Sequence, residues 1–301
     1  MEALRHDDPV QVGAYSVLAR LDIETELGSP ERRFIVRGAD GDRTFLARIP
    51  RADTDPTRWA IEAEGARRLS IPGFLPVGEV GGGGAELPWC TAPYVPALPL
   101  PAALRAHGGP LPGPVVRALA AALARTLATA HAQGVTHAGL SPAAVLLTAD
   151  GPRLSCFGAV RAAAPDGEQR SGLPGLDSGS LAPEQAAGGR PRPPGDVYAL
   201  GAVLAFAATG HTVPERDELP DFLREPVTAC LSRDPARRPQ AQQLFSQPEP
   251  QPEAAAHAAT VLDNATPSPI PLPASVVVAL ARQSAQVLAA ELPVPASRTR
   301  H

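Results

Sequence analysis

Groups able to do chemistry are sparse where this chain looks most like a site. The stretch HAGLSPAAVLL, residues 137 to 147, followed by LSCFG at 154 to 158, offers an imidazole, hydroxyls and a thiol among alanines, glycines and leucines. All 27 basic residues are arginine, so no Schiff base and no lysine-anchored phosphate chemistry is available. Cys90, Cys156 and Cys230 lie far apart without CxxC spacing. They read as reduced, buried thiols, because neither a zinc site nor a disulfide framework has that spacing. The four glycines at 81 to 84 invite a phosphate-cradle reading, but no helix follows them, and a turn is the expectation.

Composition narrows the function classes. A chain of 301 residues holds one large domain or two small ones, and 36 prolines with 27 glycines imply much loop and linker. A net charge of −4 and a pI near 6.0 provide no basic field for nucleic acid and no polybasic run for anionic lipid. MEALRHDDPV lacks a signal-peptide core, and no window of about 18 apolar residues is present. The expectations are a cytoplasmic location, no nucleic-acid partner and no membrane partner.

Two kinds of element must position any site. YSVLARL, RRFIVRG and RTFLARIP alternate apolar and polar residues between Gly and Asp turns, which predicts strands and hairpins over residues 15 to 50. TRWAIEAEGARRL predicts a helix, with Asp55 or Thr57 as its cap, and LPVGEV and PWCTAPYV predict another hairpin around the glycine run. Beyond residue 100 the period becomes helical. Val116, Leu119, Ala120, Leu123 and Leu127 share one face of a helix over 115 to 134, and the segment 197 to 210 is apolar all round, as a helix buried in mid-domain would be. From Ser246 the chain turns proline-rich. Ser275 opens a last helical pattern, read either as a loose tail helix or as a segment docked on the domain or on a partner.

These motifs resemble a bacterial, eukaryotic-like serine/threonine protein kinase. GVTHAGLSPAAVLLTADGPRLSCFG matches the catalytic and metal-binding loops, LAPEQ the end of the activation segment, GDVYALGAVLAFAATG the central helix, and CLSRDPARRP the last conserved helix. The resemblance implies an α+β, bilobal protein-kinase-like fold, with a small β-rich lobe over 15–95 and a larger helical lobe over 96–245. Outside the span of the resemblance, composition and helical spacing predict an extension at 1–14, a disordered proline-rich linker at 246–274 and an amphipathic helix at 275–292. The resemblance also implies that Glu184 pairs with Arg238, that Asp196 organises the catalytic-loop backbone, and that His137 and Phe157 stack between the lobes.

The family loop reads HRDLKPANVLL, in which Asp takes the substrate proton, Lys steadies the γ-phosphate and Asn holds magnesium. The matching positions are Gly139, Ser141 and Ala144, while Cys156 replaces the metal-binding Asp of DFG. Arg48 stands at the lysine position, with Glu62 expected as its partner; with the hinge residues Pro93 and Val95 they outline a vestigial nucleotide cleft. The glycine-rich loop, DIETELGSPERR, keeps only Gly28, and Glu24 and Glu26 bring negative charge where phosphates would sit. Losing a general base alone costs about 10²- to 10⁴-fold, and here base, metal ligands and clamps are missing together. The acids Asp150, Asp166, Glu168 and Asp177 are read as loop residues rather than replacement bases, and His137 as a core histidine. The resemblance thus implies an inactive pseudokinase acting as a signalling scaffold or regulatory module for a protein partner, with no metal and no cofactor beyond weak, magnesium-free ATP. The alternatives are a weak or atypical ATP-dependent Ser/Thr kinase and a nucleotide-binding protein without turnover.

Overall fold

The computed structural model describes residues 2–21, 29–215, 217–245 and 270–290. The loop residues 22–28, which include Glu24, Glu26 and Gly28, and most of the proline-rich linker lie outside the described residues.

Alternating sequence becomes sheet first. Strands β1 (Gln11–Val12), β2 (Tyr15–Arg20), β3 (Glu31–Arg37) and β4 (Thr44–Pro50) are followed by helix α1 (Pro56–Arg67) and by β5 (Val80–Gly83) and β6 (Glu86–Pro93). They form one antiparallel sheet in the order β1-β2-β3-β4-β6-β5. Asp55 caps α1, accepting from the amides of Thr57 at 2.8 Å and Arg58 at 3.1 Å, which satisfies two of the donors a helix start leaves free. The glycine run closes the β5–β6 hairpin. Gly81 is required there, since a Cβ would lie 2.3 Å from the Trp89 ring.

The second lobe is helical. A short strand β7 (Leu98–Pro99) leads into α2 (Leu100–His107) and α3 (Gly113–Ala132), then β8 (Val145–Thr148) and β9 (Gly151–Leu154), which complete a three-stranded sheet in the order β7-β8-β9. There follow α4 (Ala159–Ala163), α5 (Pro183–Ala186), α6 (Pro193–Thr209), α7 (Asp221–Cys230) and α8 (Ala274–Ala289). The apolar stripe of α3, Leu119, Leu123 and Leu127, is fully buried in one cluster with Leu200, Val203 and Leu204 of α6. Helix α6 is covered on nearly every side, as its lack of a polar face requires.

The last helix differs from expectation at its start. Pro273 occupies the cap position without a side-chain bond, and the Ser275 hydroxyl instead meets His107 Nδ1 of α2 at 3.3 Å. The helix is docked rather than loose, with Val276 and Leu280 in the C-lobe core cluster.

Candidate active site, its cleft and its frame

The frame of the site is a buried carboxylate. Asp196, in the first turn of α6, accepts the amide of His137 at 2.7 Å through Oδ2 and that of Ala138 at 2.8 Å through Oδ1, and His131 Nε2 lies 3.0 Å from Oδ2. These bonds hold Ala138 at φ 53°, a left-handed conformation that a non-glycine residue adopts at a cost. Next to it, Gly139 faces Cys156 directly: a Cβ there would lie 2.0 Å from the Cys156 carbonyl oxygen. The chain then turns through residues 142 to 144 into β8.

His137 is fully buried, edge-on to Phe74 at 5.1 Å and to Phe157 at 6.0 Å. Phe74 also meets Phe157, so the pair is a three-ring cluster. Burial, only partly offset by Asp196, pushes the His137 pKa down to about 4 from 6.5. The unfolded chain therefore takes up a proton there that the folded chain refuses. Stability contributed by neutral His137 is complete above pH 6.5 and declines as pH falls through the window to 4, by on the order of 3 kcal/mol. Urea unfolding at stepped pH is expected to show this decline and to show it diminished in His137→Phe; equal pH slopes in the two proteins would contradict it.

Between the lobes lies a buried polar network. Glu31 and Arg33 on β3 and Arg48 on β4 share one face of the sheet, Arg33 directly opposite Arg48. Two guanidiniums so placed repel unless each finds an acceptor. Arg48 Nη1 takes Glu31 Oε1 at 3.6 Å, and Arg33 Nη1 donates to Ser155 Oγ at 2.9 Å. The Ser155 hydroxyl donates to the Ala144 carbonyl at 3.0 Å, and Cys156 Sγ donates to Glu31 Oε1 at 3.5 Å. Burial works against the charge on Arg48, but Cys90, Glu31 and Cys156 together hold its pKa above the usual value. The Cys90 thiol is pushed up to about 11 by burial and stays protonated at neutral pH.

The expected Arg48–Glu62 pair is corrected here. Glu62 of α1 binds Arg161 of α4 instead, at 2.7 Å to Nη2 and 2.9 Å to Nε. The cause is Gly158, at φ 76°, whose missing side chain leaves the space that the Glu62 carboxylate fills 2.1 Å from where a Cβ would stand. Glu62 is thereby drawn to α4, and Arg48 takes the acid on its own sheet.

Beside this network, among the described residues, Leu21, Leu46, Leu75, Ala92, Ala97 and Leu146 form one apolar cluster drawn from both lobes, with Leu46 only 4% and Leu146 only 1% exposed. Pro93, at the end of β6, and Val95, in the segment between β6 and β7, lie exposed. On the other side, Pro30, Gly139, Ser141, Leu176, Asp177, Ser180 and Asp196 border a cavity of about 20 Å³, room for roughly one water. Asp177 there accepts a short hydrogen bond from Ser180, Asp166 is paired with Arg170, and Asp150 and Glu168 are exposed.

Farther down the helical lobe, Arg238 grips Glu184 with both terminal nitrogens, at 2.6 and 2.8 Å, and stacks over Tyr198 at 5.0 Å. Arg170, fully buried, braces the preceding segment through the carbonyls of Ala164 at 3.1 Å and Gly189 at 2.8 Å.

Comparison with known proteins places this arrangement. The chain is 34% identical over 269 residues to a probable serine/threonine-protein kinase, PkwA, of Thermomonospora curvata, covering 82% of this chain and 35% of that protein. It is 31% identical over 273 residues to the serine/threonine-protein kinase AfsK of Streptomyces coelicolor, covering 83% of this chain and 33% of that one. The chain is a homologue of the bacterial serine/threonine protein kinases. The fold agrees: the crystal structure of the Mycobacterium tuberculosis PknI kinase domain superposes with a TM-score of 0.58 at 24% identity, over 78% of this chain and 95% of that domain. No protein-family model matches the chain. The chain spans about a third of the length of the curated kinases it matches.

In kinase terms, the structure brings Arg48 and Cys156 together on Glu31, with Ala144 packed against Cys156 and bonded to Ser155, while Gly139 and Ser141 border the water-sized cavity. Pro93 and Val95 sit on the hinge and Glu62 has left the group. Sequence reasoning passed over Glu31, Arg33, Ser155 and Arg161. One signal was available for the first two: in ERRFIVR, Glu31 and Arg33 share the parity of the buried Ile35, which puts both charges on a single face of β3.

Proposed function

We propose that this domain is a pseudokinase, a kinase-fold module that does not transfer phosphate and acts by binding a protein partner. The observation that carries the reading is the interlobe network: Glu31 meets Arg48 and Cys156 where the family places the lysine and the metal-binding aspartate. The protein's own carboxylate stands in for the nucleotide phosphates. A metal ion fits poorly beside it, since a thiol and an alanine replace the hard oxygen ligands that Mg²⁺ takes. The buried Leu46 and Leu146 support the same reading, because an adenine base would have to part them.

A second reading, nucleotide binding without turnover, is favoured by one observation. Arg48 Nε and Nη2 are buried without a partner, and a phosphate displacing Glu31 would satisfy them. Both readings predict no phosphoryl transfer above that of a boiled control with radiolabelled ATP; transfer above it would overturn both. Thermal unfolding at millimolar ATP, with and without Mg²⁺ or Mn²⁺, separates them. The pseudokinase with a closed cleft shows no shift. Binding at a hundredfold excess over Kd would stabilise the domain by about 2.7 kcal/mol.

A further inference from the structure

Helix α8 touches both lobes and the segment between β6 and β7 that joins them. Its buried stripe, Val276, Leu280, Gln283 and Val287, recurs at helical spacing, and a glutamine only 1% exposed is its middle member. Gln283 Oε1 accepts the amide of Ala97 at 2.7 Å and the Tyr94 hydroxyl at 3.1 Å, and Nε2 donates to the Ala97 carbonyl at 3.0 Å. One side-chain amide thus gives the buried Ala97 the donor and acceptor that a neighbouring strand would give it. At one end of the helix Ser275 meets His107 of α2, in the helical lobe. At the other, the Val287 carbonyl accepts Arg37 Nη2 of β3, in the sheet lobe, at 2.9 Å.

We propose that α8 is an intramolecular clamp that holds the two lobes in their closed arrangement, seated by Gln283 on Ala97. A helix is stiff along its axis, so a rod anchored to α2, to the hinge and to β3 resists any change in the angle between the lobes. The proposal stands apart from the reading of the cleft as inactive, and its readout is structural.

Cys156 reports on the interlobe contact, at 2% exposed, and Cys230, in the core of the helical lobe, reports on global unfolding. Labelling of the 301-residue chain with N-ethylmaleimide, resolved by peptide mass spectrometry, is compared with amide exchange over α8. Gln283→Leu is expected to release α8 and to raise the Cys156 labelling rate by at least about tenfold, with Cys230 unchanged. Arg37→Ala is expected to raise it by a smaller factor, and Leu288→Ala, on the 84% exposed face, to leave it unchanged. Faster exchange in α8 with unaltered Cys156 labelling would reduce α8 to a passive appendage and overturn the clamp. Unaltered α8 exchange in Gln283→Leu would remove Gln283 as the seat. Should that variant expose Cys230 as well, Arg37→Ala decides, because it leaves the Ala97 bonds in place; unchanged Cys156 labelling there overturns the proposal.

Discussion

Gly139→Asp, which writes the family's proton acceptor back into the loop, is expected to yield a less stable protein and no kinase. The new Cβ would stand 2.0 Å from the Cys156 carbonyl oxygen and 3.0 Å from both the Cβ and the amide nitrogen of Ala159. Backbone must move to admit it. That backbone is the turn in which Cys156 holds φ 62° and its carbonyl accepts the Ala159 amide at 3.1 Å. Overpacking of this kind costs about 1–3 kcal/mol, and burying a carboxylate without a dedicated donor adds a similar amount, so a loss of at least about 3 kcal/mol is expected. For a domain of this size that lowers Tm by roughly 6–12 °C in calorimetry. Gly113→Ala is the control: its Cβ would meet only the Phe222 ring, at 3.5 Å, an ordinary contact. A Gly139→Asp protein melting with its parent would show that the loop has kept room for an acid after all. An acid restored at 139 thus meets backbone rather than open space.

The second large effect is expected at Asp196. Its carboxylate is 1% exposed and accepts the amides of His137 and Ala138. Asp196→Ala strands both donors in the interior and frees Ala138 to leave its left-handed conformation. Each unsatisfied buried amide costs about 1–3 kcal/mol, so urea unfolding should show a loss of about 3–5 kcal/mol. Asp196→Asn keeps one acceptor oxygen and should fall between parent and alanine variant. A loss under about 1 kcal/mol in Asp196→Ala would mean that the loop holds its shape without this anchor. A loss of the expected size would show that the loop conformation rests on this one carboxylate.

Much of this was legible before any coordinates. The period of α3 and the unbroken apolar run of α6 named their own burial, since a helix without a polar face has nowhere to go but inside. Glu184 and Arg238 lie far apart in sequence, yet the kinase resemblance of LAPEQ and CLSRDPARRP implies that they pair, and they meet at 2.6 and 2.8 Å. Less legible were contacts between segments that no motif joins. Nothing in TRWAIEAEGARRL distinguishes an acid that will face Arg48 from one that will face Arg161. The choice depends on the empty space at Gly158, which exists only once α1 and α4 pack together. Gln283 was equally silent, because a glutamine in a helix is usually a surface residue and becomes a hinge ligand only where a main-chain donor and acceptor wait for it.

The sequence by itself determined what is chemically missing: no lysine anywhere, glycine for the base at 139, alanine for a metal ligand at 144, and a thiol at 156. Such absences need no geometry, since a side chain that is not encoded cannot be supplied by folding. Only the tertiary structure decided what fills the place they left. Glu31 and Ser155 take up the two arginines, leucines from both lobes pack in one cluster, and α8 makes contacts with both lobes. The physical reason is that buried charges and buried amides must find partners wherever the chain brings them within reach, and that reach is set by packing between lobes rather than by order along the chain.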